Sequence, residues 1–340
     1  MLVGAFDDTI PVSRIVSGKL RRYYHLTIIR QLLWPRLVLL NIRDSFLVLF
    51  GFIQSFFKLL VWRPDVVFTK GGYVCLPVGM AAKVLRIPLV IHDSDAHPGL
   101  TNRVLSRWAS AIATGAPLEY YPYPKAISRY VGIPISADFH PFSGSERRDA
   151  REQWGIDQDR PLIVITGGGL GAQRMNDATS QTLDELLKLG SVVLIAGSAQ
   201  YDELRALTPE YDDAFQLHAF VSKGMAQLLG TADVVVTRAG ATTILELAAL
   251  EKPTILVPNG KLTGGHQLKN AKVYDDAKAV VIVDEEAMVE RPLLLRDAVK
   301  GVLDDKLAAQ AMAKRFSAFA RPTAAKDMAD MITGAAKHKL

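Results

Sequence analysis

The chain writes the same unit twice, and this repetition constrains its fold more than any other feature. DVVFTKGGYVCLPVGMAAKVLRIPLVIH, from Asp65, and DVVVTRAGATTILELAALEKPTILVP, from Asp233, follow one plan: a β-branched run, a basic residue, a glycine-bearing turn, an alanine-rich helix and a proline-led second run. Each is a strand-helix-strand unit. Short apolar runs separated by helical patterns imply parallel sheets covered by helices on both faces. Similar units in both halves of 340 residues predict an α/β chain of two Rossmann-like, doubly wound domains in tandem.

The second half continues the pattern with PLIVITGGGLGA, SVVLIAG, AFQLHAF and AVVIV. The first half offers fewer strands: DVVF, PLVIH, AIAT and SRYVGIP, with at best one more around Arg14 to Val16. The polar stretch ADFHPFSGSERRD, Ala137 to Asp149, reads as the linker. The expected division is therefore a first domain over residues 1–140 and a second over 150–321. The helix that follows Arg321-Pro322, residues 322–340, is expected to join the first domain.

Composition narrows the setting. A hydrophobic content of 49% with 22% charged residues leaves no long segment for disorder. A single cysteine, Cys75, allows no internal disulfide or cysteine-rich metal site, which points to a reducing, cytoplasmic environment with Cys75 as a small buried residue. The opening MLVGAFDDTIP lacks the basic, apolar and small-residue regions of a secretory signal. Net charge is only +5, but the excess is early, where nine basic residues from Arg14 to Arg63 face Asp7, Asp8 and Asp44.

The same region contains SFLVLFGFIQSFFKLLVW, Ser45 to Trp62, which is shorter than the roughly 20 apolar residues a spanning helix needs and carries Gln54 and Lys58. It reads either as a helix covering a sheet or as an apolar helix lying on an anionic membrane surface, and different faces can do both. No basic stripe with interleaved aromatics is present, so nucleic acid is not an expected partner.

Ligands of open α/β sheets bind beyond the carboxyl ends of the strands, where glycine turns meet helix N-termini. GGGLGA, Gly167 to Ala172, has that placement, and its amides suit a phosphate or pyrophosphate. A dinucleotide site would want glycine at Ala172 and an acid after the next strand, which ends instead in Ala196-Gly197. In RAGATTILEL, Thr243 and Glu246 fit a helix capping box, and Glu246 equally fits a carboxylate accepting both ribose hydroxyls. GGHQLKNA favours the second reading, because it adds His266 and Gln267 on the same edge.

In the first half, GGYV supplies another glycine turn, and IHDSDAHPGLTN gathers His92, Asp93, Asp95 and His97 after a strand. Nothing nearby completes a divalent-metal ligand set, so a general base at a cleft mouth fits this group better.

Together GGYV, HDSDAHPGLTN, GGGLGAQRMN, RAGATTILEL and GGHQLKNA resemble, in order, the motifs of the bacterial transferases that add N-acetylglucosamine from UDP to undecaprenyl-pyrophosphoryl-N-acetylmuramyl-pentapeptide. The resemblance runs from about Gly18 to near the C-terminus. It implies a two-domain GT-B fold, inverting chemistry without cofactor or essential metal, UDP-GlcNAc as donor and a lipid-linked muramyl-pentapeptide as acceptor. It further implies a peripheral position on the cytoplasmic face of an anionic membrane, and cell-wall synthesis proteins as candidate partners.

Carried onto this sequence, the resemblance makes Glu246 the ribose-binding acid and Gln267 a sugar-orienting residue beside His266. Gly168, Gly169, Gly171, Arg238, Gly240, Ala241 and Thr242 fall in the phosphate-contacting turns. Gly71, Gly72, Tyr73, Asn102 and Asn176 fall on substrate-binding positions, and His92, Asp93 and Asp95 are the candidates for the catalytic base. The sequence also departs from the family. Asp95 stands for the usual Asn, Asp93 for Glu, Gly169-Leu170 for Ser-Gln and Ser136 for Arg. The family's opening strand and glycine loop do not precede Val16. That departure keeps two rival expectations open: a UDP-sugar-binding subunit needing a partner that supplies the loop, and a GT-B sugar-nucleotide epimerase.

Overall fold

The computed structural model describes residues 11–21, 27, 29–30, 33–168, 172–208, 214–260 and 265–337. These form two parallel sheets. The first contains β1 (Val67–Thr69), β2 (Leu89–Asp93), β3 (Ala111–Thr114) and β4 (Ser128–Tyr130), side by side in chain order. The second contains β5 (Leu162–Thr166), β6 (Ser191–Ile195), β7 (Phe215–His218), β8 (Val234–Thr237), β9 (Thr254–Leu256) and β10 (Val281–Ile282). Its spatial order is β10-β9-β8-β5-β6-β7, with every pairing parallel. Chain order reverses between β5 and β8, so the crevice for a ligand opens beyond those two strands.

Every residue of β2, β5, β6, β8 and β9 is buried, which explains the unbroken apolar runs: each strand has helices on both faces. The second sheet is covered by α4 (Gly144–Gln153), α5 (Gln173–Gln181), α6 (Leu183–Leu187), α7 (Tyr201–Leu207), α8 (Met225–Thr231), α9 (Ala241–Ala249), α10 (His266–Asp276), α11 (Glu285–Glu290), α12 (Leu293–Asp304) and α13 (Lys306–Ser317). A last helix, α14 (Ala324–Lys337), crosses back and packs Ala324 and Met328 against Ala113 and Val131 of the first sheet.

Three expectations change. The region read as a linker is helical in its second half, because Ser143 and Glu146 form a reciprocal capping box that starts α4. The segment at Arg14 to Val16 is not a strand. Its backbone instead pairs with the Gln54 side chain, which accepts from Val16 N (2.9 Å) and donates to Arg14 O (3.1 Å). The apolar helix is also longer than expected: α1 (Pro35–Trp62) runs for 28 residues and is long and apolar enough, by those criteria alone, to cross a membrane. Pro35 starts it, having no N–H to leave unpaired.

Helix α1 packs on α2 (Cys75–Val84), and its buried residues, Leu37, Asp44, Gly51, Ser55 and Leu59, form one narrow stripe shared between α2 and the segment before α1. The segment before α1 crosses it at two glycines, where a Cβ on Gly18 would lie 2.1 Å from Asp44 O and one on Gly51 1.9 Å from Val16 O. Asp44 is almost fully buried there. Burial pushes its carboxyl up, but hydrogen bonds and charge from Arg43 and Arg21 outweigh that and hold it low. Cys75 is half-buried, its thiol bonded to Gly71 O.

Candidate active site

The site is built on the carboxyl edge of the second sheet. Helix α9 begins at Ala241 after Gly240, and no side chain caps it, so the amides of its first turn have no intrahelical acceptor. This excludes the capping-box reading of Glu246. Thr243 lies inside the helix rather than at its cap, and Glu246, one turn later on the same face, joins it in lining a cavity of about 160 Å³. The remaining walls come from Thr166, Gly168, Gly197 and Ser198 at strand ends and from the apolar Ile195, Phe220, Met225 and Leu229.

Glu246 is half-buried, and its carboxylate has no hydrogen bond or ion pair among the described residues. Burial alone pushes its pKa up. A desolvated acid without a partner is unfavourable in the free protein and favourable only when donors arrive. Gly168 has φ +74°, which aims the turn after β5 towards the same opening. Gly169 and Gly171 of that turn lie outside the described residues.

On the facing edge the expected groups divide. His92 is fully buried, bonded through Nε2 to Gly132 O (2.9 Å), and burial lowers its pKa to about 4. Asp93 is buried as well. Burial raises its pKa, opposed by hydrogen bonds from Tyr123 Oη, Asn102 Nδ2 (2.8 Å) and Gly99 N (3.4 Å). Both side chains are therefore buried and bonded within the protein, less accessible than a base at a cleft mouth is expected to be.

Asn102 is 1% exposed; its Nδ2 donates to Asp93 and to His92 O, while its Oδ1 has no partner among the described residues. Asn176 is 0% exposed and holds Ala196 O and Gln200 Oε1. Arg238 is turned inward, donating to Val257 O (3.0 Å) and pairing with Glu285 (2.5 Å), where it secures the turn before α9. All three side chains are buried with hydrogen bonds inside the protein, and Asn176 Oδ1, like Asn102 Oδ1, has no partner among the described residues.

Asp95 is the acid left open to the cleft. Its Oδ1 accepts from Asn270 Nδ2 (2.9 Å), and its Oδ2 lies 3.7 Å from His266 Nδ1. Asn270 also donates to Ala239 O (3.0 Å) and accepts from Ala96 N (2.8 Å), tying both domains together beside the cavity. Gln267 accepts from Asn259 N (2.8 Å) and holds the loop after β9. Gly71 and Gly72, at φ +80° and +86°, shape the turn after β1, and Tyr73 is exposed beside them.

Sequence reasoning missed Asn270 and Phe220. Asn270 follows His266 by four residues, one helical turn on the same face, which is a legible signal. Phe220 is an exposed aromatic just beyond the carboxyl end of β7, where an apolar ring has no packing reason to be.

Two Rossmann-like domains facing a cleft, with an anion-suited helix end and a lone acid on one wall, define the GT-B class of nucleotide-sugar proteins. Residues 17–114 match the glycosyltransferase family 28 N-terminal domain and residues 162–328 its C-terminal domain. The chain is 34% identical over 295 residues to the UDP-N-acetylglucosamine–N-acetylmuramyl-(pentapeptide) pyrophosphoryl-undecaprenol N-acetylglucosamine transferase of Clostridium kluyveri, covering 86% of this chain and 77% of that protein. It is 35% identical over 291 residues to the same-named protein of Lachnospira eligens, covering 85% and 76%.

Among solved structures, MurG of Acinetobacter baumannii superposes with a TM-score of 0.69 at 27% identity, covering 86% of this chain and 79% of that one. The UDP-GlcNAc 2-epimerase of Neisseria meningitidis, bound to UDP-GlcNAc, matches at 12% identity with a TM-score of 0.62 over 84% of this chain, a likeness of fold alone. The chain belongs to glycosyltransferase family 28, in the branch of UDP-N-acetylglucosamine–N-acetylmuramyl-(pentapeptide) pyrophosphoryl-undecaprenol N-acetylglucosamine transferases.

Proposed function

We propose that this chain transfers N-acetylglucosamine from UDP-GlcNAc to undecaprenyl-pyrophosphoryl-N-acetylmuramyl-pentapeptide with inversion at C1, converting lipid I to lipid II. The observation that carries the reading is the partnerless Glu246 carboxylate in a cavity beside the uncapped start of α9. Uracil fits the apolar end at Ile195, Phe220 and Met225, the ribose hydroxyls donate to Glu246, and the diphosphate meets the turns at Gly168 and Gly240 to Thr242. Negative charge grows on the leaving diphosphate as the C1–O bond breaks, and preorganised amides stabilise it there without reorganising.

The acceptor hydroxyl attacks C1 from the first-domain side and gives its proton to Asp95, the accessible acid of the three. Asn270 and His266 orient that carboxylate. A single displacement with one base accounts for inversion.

Helix α1 supports a peripheral position on the cytoplasmic face of an anionic membrane. Its exposed Phe46, Phe50, Ile53, Phe57 and Val61 recur every three or four residues on one face, with Arg36, Arg43, Lys58 and Arg63 nearby. The opposite stripe is packed on α2, which favours lying on the surface over spanning it. Full-length protein should float with anionic vesicles, and Phe50→Glu with Phe57→Glu should release it. Equal flotation of the variant contradicts this placement.

The activity is tested by incubating the protein with UDP-GlcNAc and a lipid I analogue. Disaccharide product equal to UDP released is expected; UDP-ManNAc formed without acceptor, or no transfer, contradicts the reading.

A further inference from the structure

A second cavity among the described residues lies at the opposite edge of the second sheet, and nothing in the proposed reaction uses it. It encloses about 530 Å³ at the amino ends of β5, β8 and β9, between α4 and the α12–α13 corner. That volume is in the range of small-molecule sites. Six cations line it, Arg147, Arg148, Arg151, Arg160, Lys252 and Lys306, against three acids, Asp159, Asp233 and Glu251.

The acids do not balance the cations. Asp233 is saturated by Arg147 (2.8 Å), Arg151 (2.7 Å) and the Leu162 amide (2.8 Å). Glu251 is 3.5 Å from Lys314, outside the cavity lining. Arg148, Arg160, Lys252 and Lys306 have no ion pair among the described residues, although Arg160 Nη2 donates to the carbonyls of Leu187 (2.5 Å) and Gly190 (3.3 Å). Arg151 is buried and fully engaged, its Nη1 held by the carbonyls of Asp157, Gln158 and Arg160. It forms a fixed positive floor.

Lys252 is the sharpest element. It is 6% exposed, and its ammonium has one acceptor, Ala232 O, at 3.2 Å. Burial first, then the charge of Arg147, brings its pKa down to about 8. Burying an ammonium with a single long hydrogen bond is costly. Lysine at this position is therefore a cost to the free fold that a nearby anion would offset.

We propose that this cavity binds a small anion bearing two or more phosphate groups, separately from the donor cleft. Several unpaired cations around one concavity match a multiply charged oxyanion better than a single carboxylate. Val302, Leu303, Ala309 and Ala313 provide an apolar wall for the remainder of the ligand.

The test titrates inorganic pyrophosphate into the full chain saturated with UDP, by calorimetry. Two variants are compared with the unaltered protein: Lys252→Met, and the exposed pair Arg148→Glu with Lys306→Glu. The expected result is about one pyrophosphate bound per UDP-saturated chain, at least tenfold weaker binding in both variants, and UDP affinity unchanged within twofold. Lys252→Met should also melt at the same or a higher temperature without anion. Absence of pyrophosphate binding to the UDP-saturated protein, or equal affinity in the surface double variant, overturns the proposal. Should UDP itself fail to bind, the donor-site reading falls, and the two variants' pyrophosphate affinities still decide this cavity.

Discussion

The repeated units place a turn after β1 and β2 in one domain and after β8 and β9 in the other, yet the polar groups at those turns have opposite fates. At the end of β2, Asp93 and Asn102 bond to each other, to Tyr123 and to the backbone of Gly99 and His92, and the His92 ring bonds to Gly132 O, leaving only Asn102 Oδ1 without a partner among the described residues. Beyond β8, Glu246 has no partner among the described residues and faces a cavity. A satisfied polar cluster holds a loop in place; an unsatisfied one waits for a ligand. The comparison assigns support to the first edge, apart from Asp95, and recognition to the second.

The sharpest way to break this assignment is Asp95→Asn, which keeps the link to Asn270 and removes the base. It should lower kcat by about 10²–10⁴-fold while leaving the unfolding free energy within roughly 0.5 kcal/mol. An unchanged kcat would move the base elsewhere. Next is Asp93→Ala, which strands Tyr123 and Asn102 and should cost about 3 kcal/mol in chemical denaturation. A loss of activity at full stability would return Asp93 to the catalytic list.

Of similar size is the pH response of His92. Its folded pKa of about 4 lies below that of the unfolded chain, so the unfolded state takes up a proton first as pH falls below about 6.5. Its contribution falls by about 1.4 kcal/mol per pH unit, roughly 3 kcal/mol in all by pH 4, and is fully present above 6.5. His92→Gln should flatten that dependence; an identical slope would mean that the imidazole is solvated.

The smallest effect has the opposite sign. Glu246 has a raised pKa, so the folded state binds the proton more tightly, and stability declines as pH rises through the carboxylate range. Glu246→Gln removes that decline and should raise the melting temperature of free protein by roughly 1–3 °C at pH 8, with no gain near pH 3. A lower melting temperature at pH 8 would mean that Glu246 has a structural partner.

Much of this was written in the sequence. Apolar runs marked β2, β5, β6, β8 and β9 because parallel strands buried on both faces cannot alternate polar and apolar residues; the partly buried β4 and β7 carried weaker patterns. Glu246, the α9 turn and His266 were placed on one edge by spacing alone. Ser143-x-x-Glu146 was a legible start for α4, hidden by its polar surroundings. The early turns of α1 were obscured by Arg36, Asn41, Arg43 and Asp44, whose pairing across the preceding segment no local pattern encodes.

Burial of polar side chains was the least legible property. His92, Asp93, Asn102, Asn176 and Arg238 are residue types that act at active sites, and the same types fasten loops from inside. Only their partners distinguish the two. Asn270 shows the converse, since its role depends on Asp95 and Ala96, 175 and 174 residues away in sequence.

The most direct measurement is the affinity of UDP for the wild-type protein and for Glu246→Ala, by calorimetry at neutral pH. A hydrogen-bonded carboxylate accounts for about 1.5–3 kcal/mol, so the variant should bind roughly 10- to 150-fold more weakly. Equal affinity in the two proteins would contradict the assignment of recognition to this edge of the second sheet.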